Sequence, residues 1–223
     1  MKVLAFDAAT TCCSVACWFE GNILASSELL EERKQSEKLI SMIVDTMVRA
    51  DFTFASLSVI AVTYGPGSFT GVRIGLAAAR GLAMASNLPL EGVTTLEALA
   101  AAPSLRESEN RIICASIDAR RNQIYGQLFD ENHIPLSTPF IDTVVNVPRR
   151  IAEVSDKHVT VLLVGSGSTL VAPILRETTW KHHISACKPH PEATVIAKLV
   201  GNRGYKAVAG ESLAPFYLRQ AIV

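Results

Sequence analysis

The 223-residue sequence has no net charge, because 21 Lys and Arg residues balance 21 Asp and Glu residues. A protein that gathers nucleic acid on its own normally carries a long-range positive field, so this balance argues against autonomous nucleic-acid binding. Hydrophobic residues make up 49% of the chain, which is too many for a disordered protein. The length and composition therefore predict a substantial core, in one domain or in two small lobes.

The sequence also lacks CxxC spacing and any apolar run near the roughly 20 residues that a membrane-spanning helix needs. The apolar start of the chain, Met1 to Phe6, is broken by Asp7 and is too short for a signal-peptide core. We expect reduced core thiols and a cytoplasmic location. The five cysteines are Cys12, Cys13, Cys17, Cys114 and Cys187.

Hydrophobic periodicity predicts an antiparallel meander of three short strands, followed by alternating helices and buried strands. This order is typical of a ribonuclease-H-like α/β lobe. A polar stretch at 103–110 places the boundary between an N-terminal lobe, 1–105, and a C-terminal lobe, 106–223, with the chain end packing back on the first lobe. Predicted strands cover 2–7, 13–19, 22–28, 57–63, 91–94, 112–117, 123–129 and 159–164, with a strand start or edge at 213–219. Predicted helices cover 35–50, 69–86, 96–102, 168–176 and 192–202, and 133–147 is predicted irregular.

The most informative stretch is a glycine-rich turn, Gly65 to Gly75, which leads from a buried strand into the helix predicted at 69–86. Such a turn can aim backbone N–H groups at an anion, or it is simply a tight loop with Ser68 or Thr70 as the N-cap. It is not a Walker loop, since Gly71 is followed by Val72 rather than by Lys. The four-residue spacing of its glycines also excludes the dinucleotide fingerprint.

Glycines four residues apart on a helix have a second meaning, because they leave one face without side chains. Gly71 and Gly75 share that face with Ala78, Ala79 and Leu82. Another backbone can approach such a face closely, either that of the chain's own sheet or that of another subunit. In the same helix Arg73 opposes the helix dipole, so we expect a carboxylate or phosphate partner for it.

Five segments together resemble the bacterial TsaB (YeaZ) family of tRNA threonylcarbamoyladenosine biosynthesis proteins. They are VLAFDAATTCCSVA near the N-terminus, GPGSFTGVRIG at 65–75, GVTTLEALA at 92–100, SIDARRNQIY at 116–125 and APFYLR at 214–219.

The resemblance implies a two-lobed α/β fold of the actin, sugar-kinase and Hsp70 type with an incomplete second lobe. It also implies a non-catalytic subunit that supports a larger paralogue, TsaD. In this family TsaD transfers threonylcarbamoyl from threonylcarbamoyl-AMP to adenosine 37 of tRNAs reading codons that begin with A, and the ATPase TsaE completes the assembly. A helical surface would dock TsaD, or a second copy when TsaD is absent. ATP and a metal ion would then belong to the partner subunits, and tRNA would be bound mainly through the complex.

The residues support the non-catalytic interpretation. TsaD carries an HxxxH metal pair where this chain has Thr95 and Leu99, neither of which offers an imidazole. Kinases of the fold use a DxGxT-like turn, whereas this chain has Asp7, Ala9 and Thr10, and the extra Cβ of Ala9 narrows the cradle. Asp7 and Thr10 are therefore weak candidates for cofactor binding. The group His182, His183, Cys187 and His190 is interpreted as a polar loop.

Three hypotheses follow. The first is a scaffold whose interface lies on the two N-terminal helices, on Leu39, Ile43, Met47, Gly71, Arg73, Gly75, Ala78 and Leu82. The second is an independent ATP-binding phosphotransferase or ATPase of the same fold. The third, a glycoprotease-like peptidase, lacks a nucleophile motif, since the loop at 165–168 is better interpreted as a strand-to-helix turn with Ser168 as the N-cap. The pair Arg120 and Arg121 would contact either tRNA or acidic side chains.

Overall fold

A computed structural model of the protein describes residues 1–31, 34–155, 159–204 and 213–219. The chain forms two units. The first comprises Met1–Ala98 and Pro191–Phe216, and the second comprises Leu99–His190 and Tyr217–Val223. The chain thus changes unit seven residues before the boundary expected after residue 105, and a later segment returns to the first unit.

Each unit is built on one five-stranded sheet. The strands are β1 (Lys2–Asp7), β2 (Cys13–Phe19), β3 (Asn22–Leu29), β4 (Val59–Thr63), β5 (Leu90–Val93), β6 (Arg111–Asp118), β7 (Gln123–Phe129), β8 (Phe140–Thr143), β9 (Thr160–Val164) and β10 (His182–Ile184). The α-helices are α1 (Gln35–Arg49), α2 (Phe69–Ser86), α3 (Thr95–Ala100), α4 (Leu105–Ser108), α5 (Val147–Ala152), α6 (Ser168–Arg176) and α7 (Ala193–Arg203). Short 3₁₀ turns lie at Phe54–Ser56 and Val144–Asn146.

The sheet of the first unit has the order β3-β2-β1-β4-β5. β1, β2 and β3 run antiparallel, which confirms the predicted meander, and β4 pairs in parallel with both β1 and β5. The continuous apolar run of β4 follows from this central position, because every residue of the strand is buried.

Helices cover both faces of that sheet, and the alternation of side chains along β1 explains how. Leu4 and Phe6 point to the layer that contains α1 and α2, whereas Val3 and Ala5 point to α7. The predicted helices at 35–50 and 69–86 are confirmed, the second with both ends as predicted.

The sheet of the second unit has the order β10-β9-β6-β7-β8. β6, β7 and β8 form an antiparallel meander, and β9 runs parallel to both β6 and β10. One face of this sheet packs on α5 and α6. Among the described residues, no helix is both long enough and apolar enough to cross a bilayer.

Several sequence-based expectations were wrong in the second half of the chain. The stretch at 133–147 contains β8 and a 3₁₀ turn, and His182 and His183 lie in β10 rather than in a loop. These strands have four and three residues, too few for a periodicity to show. No strand forms at 213–219, where Phe216 makes one hydrogen bond to Tyr64, from its N–H to the carbonyl oxygen at 2.8 Å.

The expected N-cap of α6 was also wrong. Gly167 takes that position, and Ser168 is the first helical residue, with no hydrogen-bond partner for its buried Oγ among the described residues. A serine one position inside a helix can no longer accept from the second or third helical N–H in the capping geometry.

Candidate functional site

The turn between β4 and α2 is fixed by hydrogen bonds to its own chain. Ser68 is the N-cap of α2, as one of the two sequence alternatives expected, and its Oγ accepts the N–H of Gly71 at 3.2 Å. The N–H of Ser68 in turn donates to the carbonyl oxygen of Ala9 at 2.7 Å. The glycine-rich turn is therefore closed against the turn that follows β1.

Gly71 and Gly75 face the chain's own sheet. A Cβ on Gly71 would overlap the carbonyl oxygen of Ala8, and a Cβ on Gly75 would lie 3.5 Å from Cγ2 of Val62. Of the two alternatives for this small-residue face, packing within the chain is thus the one observed. The expectation that these glycines contact a partner was wrong, since both are buried.

The same correction applies to the residues proposed on α1. Leu39, Ile43 and Met47 are only 1%, 1% and 4% exposed and belong to the core of the first unit. The sequence could not separate them from their neighbours, because inner and outer apolar residues alternate along one broad apolar region of the helix. On α2, Ala78 and Leu82 are partly exposed and pack at the edge of the same core.

A second set of residues on α1 and α2 points outward, and of these only Arg73 was among the interface residues expected from the sequence. On α1, Ile40, Val44 and Val48 are 49%, 47% and 72% exposed and follow each other at intervals of four, so they form one stripe. On α2 the outward residues include Phe69, Arg73, Ala77, Gly81 and Met84. We call these eight residues the helical face.

On α2 the helical face is mainly apolar, and its small residues Ala77 and Gly81 leave part of the surface nearly flat. Met84 is 71% exposed. Apart from the two chain neighbours of Gly81 and the backbone of its own helix, no described atom lies within 4 Å of the position that a Cβ on Gly81 would occupy. Ala77 precedes Gly81 by one helical turn, so a partner backbone could approach this part of the helix closely. The four-residue spacing of Ala77 and Gly81 is the sequence signal for this outward face. It is offset by two residues from the spacing of Gly71 and Gly75, which marks the inward face.

Arg73 has an aromatic partner that the sequence did not predict. Its guanidinium carbon lies 3.5 Å from the ring centroid of Phe69, one helical turn earlier. The stacked pair forms the N-terminal end of the helical face.

Asp7 and Thr10, the weak cofactor candidates, lie at the turn after β1. Asp7 is fully buried, and Oδ1 accepts the Thr63 hydroxyl and the Ala9 N–H. Burial raises the pKa of Asp7 to about 7, against the lowering effect of those hydrogen bonds. Asp7 Oδ2 and Thr10 Oγ1 are both buried and have no hydrogen-bond partner among the described residues.

The turn after β1 and the glycine-rich turn are packed directly against each other. A Cβ on Gly67 would overlap the carbonyl oxygen of Ala9. The Ser68 N–H, which a phosphate would need, already donates to Ala9. The arrangement holds the two turns together.

The segment that contains Thr95 and Leu99 forms α3. Thr94 and Glu97 cap it reciprocally, with the Glu97 N–H donating to Thr94 Oγ1 at 3.0 Å and the Thr94 N–H donating to Glu97 Oε2 at 3.4 Å. Thr95 and Leu99 are buried, and the Thr95 N–H donates to the Gly65 carbonyl oxygen at 2.9 Å. This segment supports the glycine-rich turn from behind.

Arg120 and Arg121 lie in the hairpin between β6 and β7. Nη1 of Arg120 is 3.6 Å from Oδ2 of Asp118, as expected if the pair contacts acidic side chains. Arg121 is exposed and makes no hydrogen bond or ion pair within the part of the chain that the structure describes.

Comparison with known proteins identifies the family. The family model described as TsaD, tRNA N6-adenosine threonylcarbamoyltransferase, matches residues 27–197. The TsaB protein of Escherichia coli is 38% identical over 136 residues, which are 60% of this chain and 58% of that protein. The TsaB protein of Bacillus subtilis is 29% identical over 223 residues, 99% of this chain and 95% of that protein. This chain belongs to the TsaB (YeaZ) family.

Solved structures support the assignment to TsaB (YeaZ). YeaZ from Pseudomonas aeruginosa superposes with a TM-score of 0.79 at 28% identity, over 97% of this chain and 99% of that one. Component A of (R)-2-hydroxyglutaryl-CoA dehydratase from Acidaminococcus fermentans shares the fold alone, with a TM-score of 0.54 at 11% identity over 91% and 98% of the two chains. The predicted two-lobed α/β fold of the actin, sugar-kinase and Hsp70 type is confirmed. The match with the E. coli relative spans little more than half of that protein's length.

Proposed function

We propose that this TsaB-family chain is a non-catalytic subunit required for threonylcarbamoylation of adenosine 37 in tRNAs that read codons beginning with A. In this role it binds the catalytic paralogue TsaD and works with the ATPase TsaE. The cytoplasm is the compartment that suits both a tRNA substrate and a chain whose five cysteines form no disulfide among the described residues.

The helical face is the observation that carries this proposal. It combines a stripe of exposed aliphatic residues on α1 with a flat, small-residue surface on the neighbouring α2. Exposed apolar patches of this kind mark surfaces that another protein covers. The contact would be helix against helix, because Ala77 and Gly81 leave room for a second helix axis to come close.

A second copy of the chain can use the same surface when TsaD is absent. A symmetric dimer buries one patch against itself, and a face built from two neighbouring helices suits such an arrangement. Homodimerisation and binding of TsaD would then be mutually exclusive, so the partner would have to replace the second copy.

The chemistry of the chain supports a non-catalytic role. Thr95 and Leu99 stand where an imidazole pair would be needed, and both are buried. Asp7 occupies the position that a catalytic carboxylate would take in kinases of this fold. It is buried beneath Ala9 and the glycine-rich turn. We therefore assign ATP and the metal ion to the partner subunits and no cofactor to this chain.

Gly81 provides the test, because a side chain there enlarges the helical face without touching the core. Gly81→Leu should fold like the parent protein yet lose co-purification with TsaD, and native mass spectrometry should show the homodimer and the heterodimer weakened together. Gly81→Ala is the matched control, since a methyl group adds little bulk, and it should retain TsaD. A Gly81→Leu variant that binds TsaD as the parent does would remove the helical face from the interface.

A further inference from the structure

The hairpin between β6 and β7 carries three consecutive residues with a left-handed backbone, none of them glycine. The φ angles of Arg120, Arg121 and Asn122 are +65°, +57° and +57°. Side chains other than glycine rarely adopt this region, and arginine is not among the residues enriched there. Such conformations persist where surrounding structure enforces them, and they cluster at binding sites.

The surrounding structure does enforce this conformation. The hairpin is closed by the Ala119 N–H donating to the Gln123 carbonyl oxygen at 2.9 Å and by the Gln123 N–H donating to that of Arg120 at 3.1 Å. Asp118 Oδ1 accepts the N–H of Arg120 at 2.7 Å. The turn is therefore held from inside by its own backbone and by a carboxylate.

Arg219 holds the hairpin from a distant part of the sequence. Its Nη2 donates to the carbonyl oxygen of Ala119 at 3.0 Å and to Oε1 of Gln123 at 2.7 Å. The guanidinium is partly buried and adds a third positive charge beneath the turn. Both acceptors are neutral oxygens, so these hydrogen bonds do not neutralise the positive charge of Arg219.

The hairpin is consequently a local concentration of positive charge in a chain with no net charge. Of Arg120, Arg121 and Arg219, only Arg120 forms an ion pair within the described residues, and its Nη1 lies 3.6 Å from Oδ2 of Asp118. The side chain of Arg120 is 77% exposed despite that pair, and Arg121 is exposed with no partner in the described residues. Two guanidinium groups thus point into solvent from a turn that cannot easily change shape.

We propose that this hairpin binds the phosphodiester backbone of RNA. Guanidinium groups match phosphate oxygens in a bidentate geometry, and a turn already fixed in place loses little freedom when it binds. Contacts of this kind position the nucleic acid without selecting its sequence. That the RNA is tRNA rests on the proposed function, which brings tRNA to the complex. Phosphate binding follows from the charge and geometry of the hairpin, independently of that function.

The experiment compares two charge-matched double variants of the full chain in complex with TsaD. Arg120→Gln/Arg121→Gln removes the two exposed charges of the hairpin, and Arg106→Gln/Arg176→Gln removes two exposed charges elsewhere in the same unit. Binding of labelled tRNA is measured over a series of potassium chloride concentrations, with the isolated chain measured in parallel. Circular dichroism and TsaD co-purification are recorded for both variants.

The hairpin variant should bind tRNA about tenfold more weakly, and the slope of log affinity against log salt should fall by about 1.5, as for two lost phosphate contacts. The control should change neither value. Arg120→Lys/Arg121→Lys keeps both charges and should retain the slope, which separates a lost charge from a disturbed turn.

Each other result overturns the inference. Equal tRNA binding by the hairpin and control variants would exclude a phosphate contact. Loss of TsaD from the hairpin variant with unchanged tRNA binding by the isolated chain would show that the arginines contact an acidic protein surface instead. Failure of the proposed function is visible separately, as absence of adenosine modification by the parent complex, and the salt slopes of tRNA binding by the parent and variant complexes still decide the inference in that case, because binding is measured without modification.

Discussion

Gly71 lies directly against the carbonyl oxygen of Ala8, so α2 meets the end of β1 with no side chain between the two backbones. The contact places the glycine spacing of α2 on the inner side of the helix. The outer side is left to Ala77, Gly81 and Met84, which are exposed. Two glycines of one helix therefore have opposite roles, and each role can be measured.

Alanine at these two positions should change the free energy of unfolding in opposite directions. Gly71→Ala places a methyl group in the space of the Ala8 oxygen and should destabilise the protein by about 1–3 kcal/mol or more. Gly81→Ala adds a methyl group in open space within a helix and should stabilise it by up to about 1 kcal/mol. Urea denaturation of the two variants measures both, and effects of the same sign would show that the inner and outer faces of α2 are wrongly assigned.

The α1 stripe gives a second test of the partner surface. Val44→Asp puts a charge on the helical face and should strongly reduce co-purification with TsaD, because the carboxylate would be buried without a partner. Since Val44 is 47% exposed, the stability of the isolated chain should change by less than about 1 kcal/mol.

Ile134 provides the control for that experiment, because it is also an exposed aliphatic residue, 59% exposed, but lies in the second unit. Ile134→Asp should leave TsaD binding intact. Loss of binding in both variants would mean that added negative charge, and not the α1 stripe, is responsible.

Asp7 should make the stability of the protein depend on pH. Burial raises its pKa from 3.8 to about 7, so the folded protein keeps a proton that the unfolded chain loses near pH 4. Stability should therefore fall as the pH rises from about 4 to about 7. Asp7→Asn removes this dependence. The free energy of unfolding of the variant minus that of the parent should therefore be about 2–3 kcal/mol larger at pH 8 than at pH 5.

Urea denaturation at the two pH values measures that difference. Asp45→Asn, at an exposed position on α1, is the matched control for the change from carboxylate to amide. A flat difference for Asp7→Asn would mean that Asp7 is ionised in the folded protein throughout this range.

In the hairpin between β6 and β7, relieving the left-handed backbone at Arg121 should stabilise the protein but weaken tRNA binding. Arg121→Gly relieves one strained residue and should raise the free energy of unfolding by up to about 1 kcal/mol, since glycine adopts a φ of +57° without penalty. The same variant should bind tRNA more weakly. Thermal unfolding and tRNA binding measured side by side would contradict the account if the substitution lowered stability or left binding unchanged.

The long periodic elements were predictable from the sequence, and the reason is physical. The helices α1 and α2 are long enough to show a helical repeat of apolar residues, and β1, β2 and β4 are apolar runs that are buried along nearly their whole length. The glycine-rich turn and its N-cap Ser68 mark the start of α2. The short strands β8 and β10 carry no repeat, because three or four residues cannot show one. Their places are set by pairing with β7 and β9, which only the folded chain displays.

Five of the expected interface residues, Leu39, Ile43, Met47, Gly71 and Gly75, are buried, and the sequence could not show this for a related reason. Leu39 and Ile40 are adjacent and both aliphatic, so periodicity alone does not say which one the sheet covers. Their exposures, 1% and 49%, are decided by the packing of α1 on β2 and β3. The role of Arg219 was also out of reach, since the residue lies 96 positions from Gln123, to which it donates.

A reconstituted modification reaction tests the central claim most directly. TsaD and TsaE are incubated with tRNA and the threonylcarbamoyl donor, with this chain present or absent, and threonylcarbamoyladenosine is measured by mass spectrometry of the digested tRNA. The account predicts product only when this chain and TsaD are present together, and none from this chain alone. Product formed by this chain without TsaD, or formed equally well by TsaD and TsaE without this chain, would contradict it.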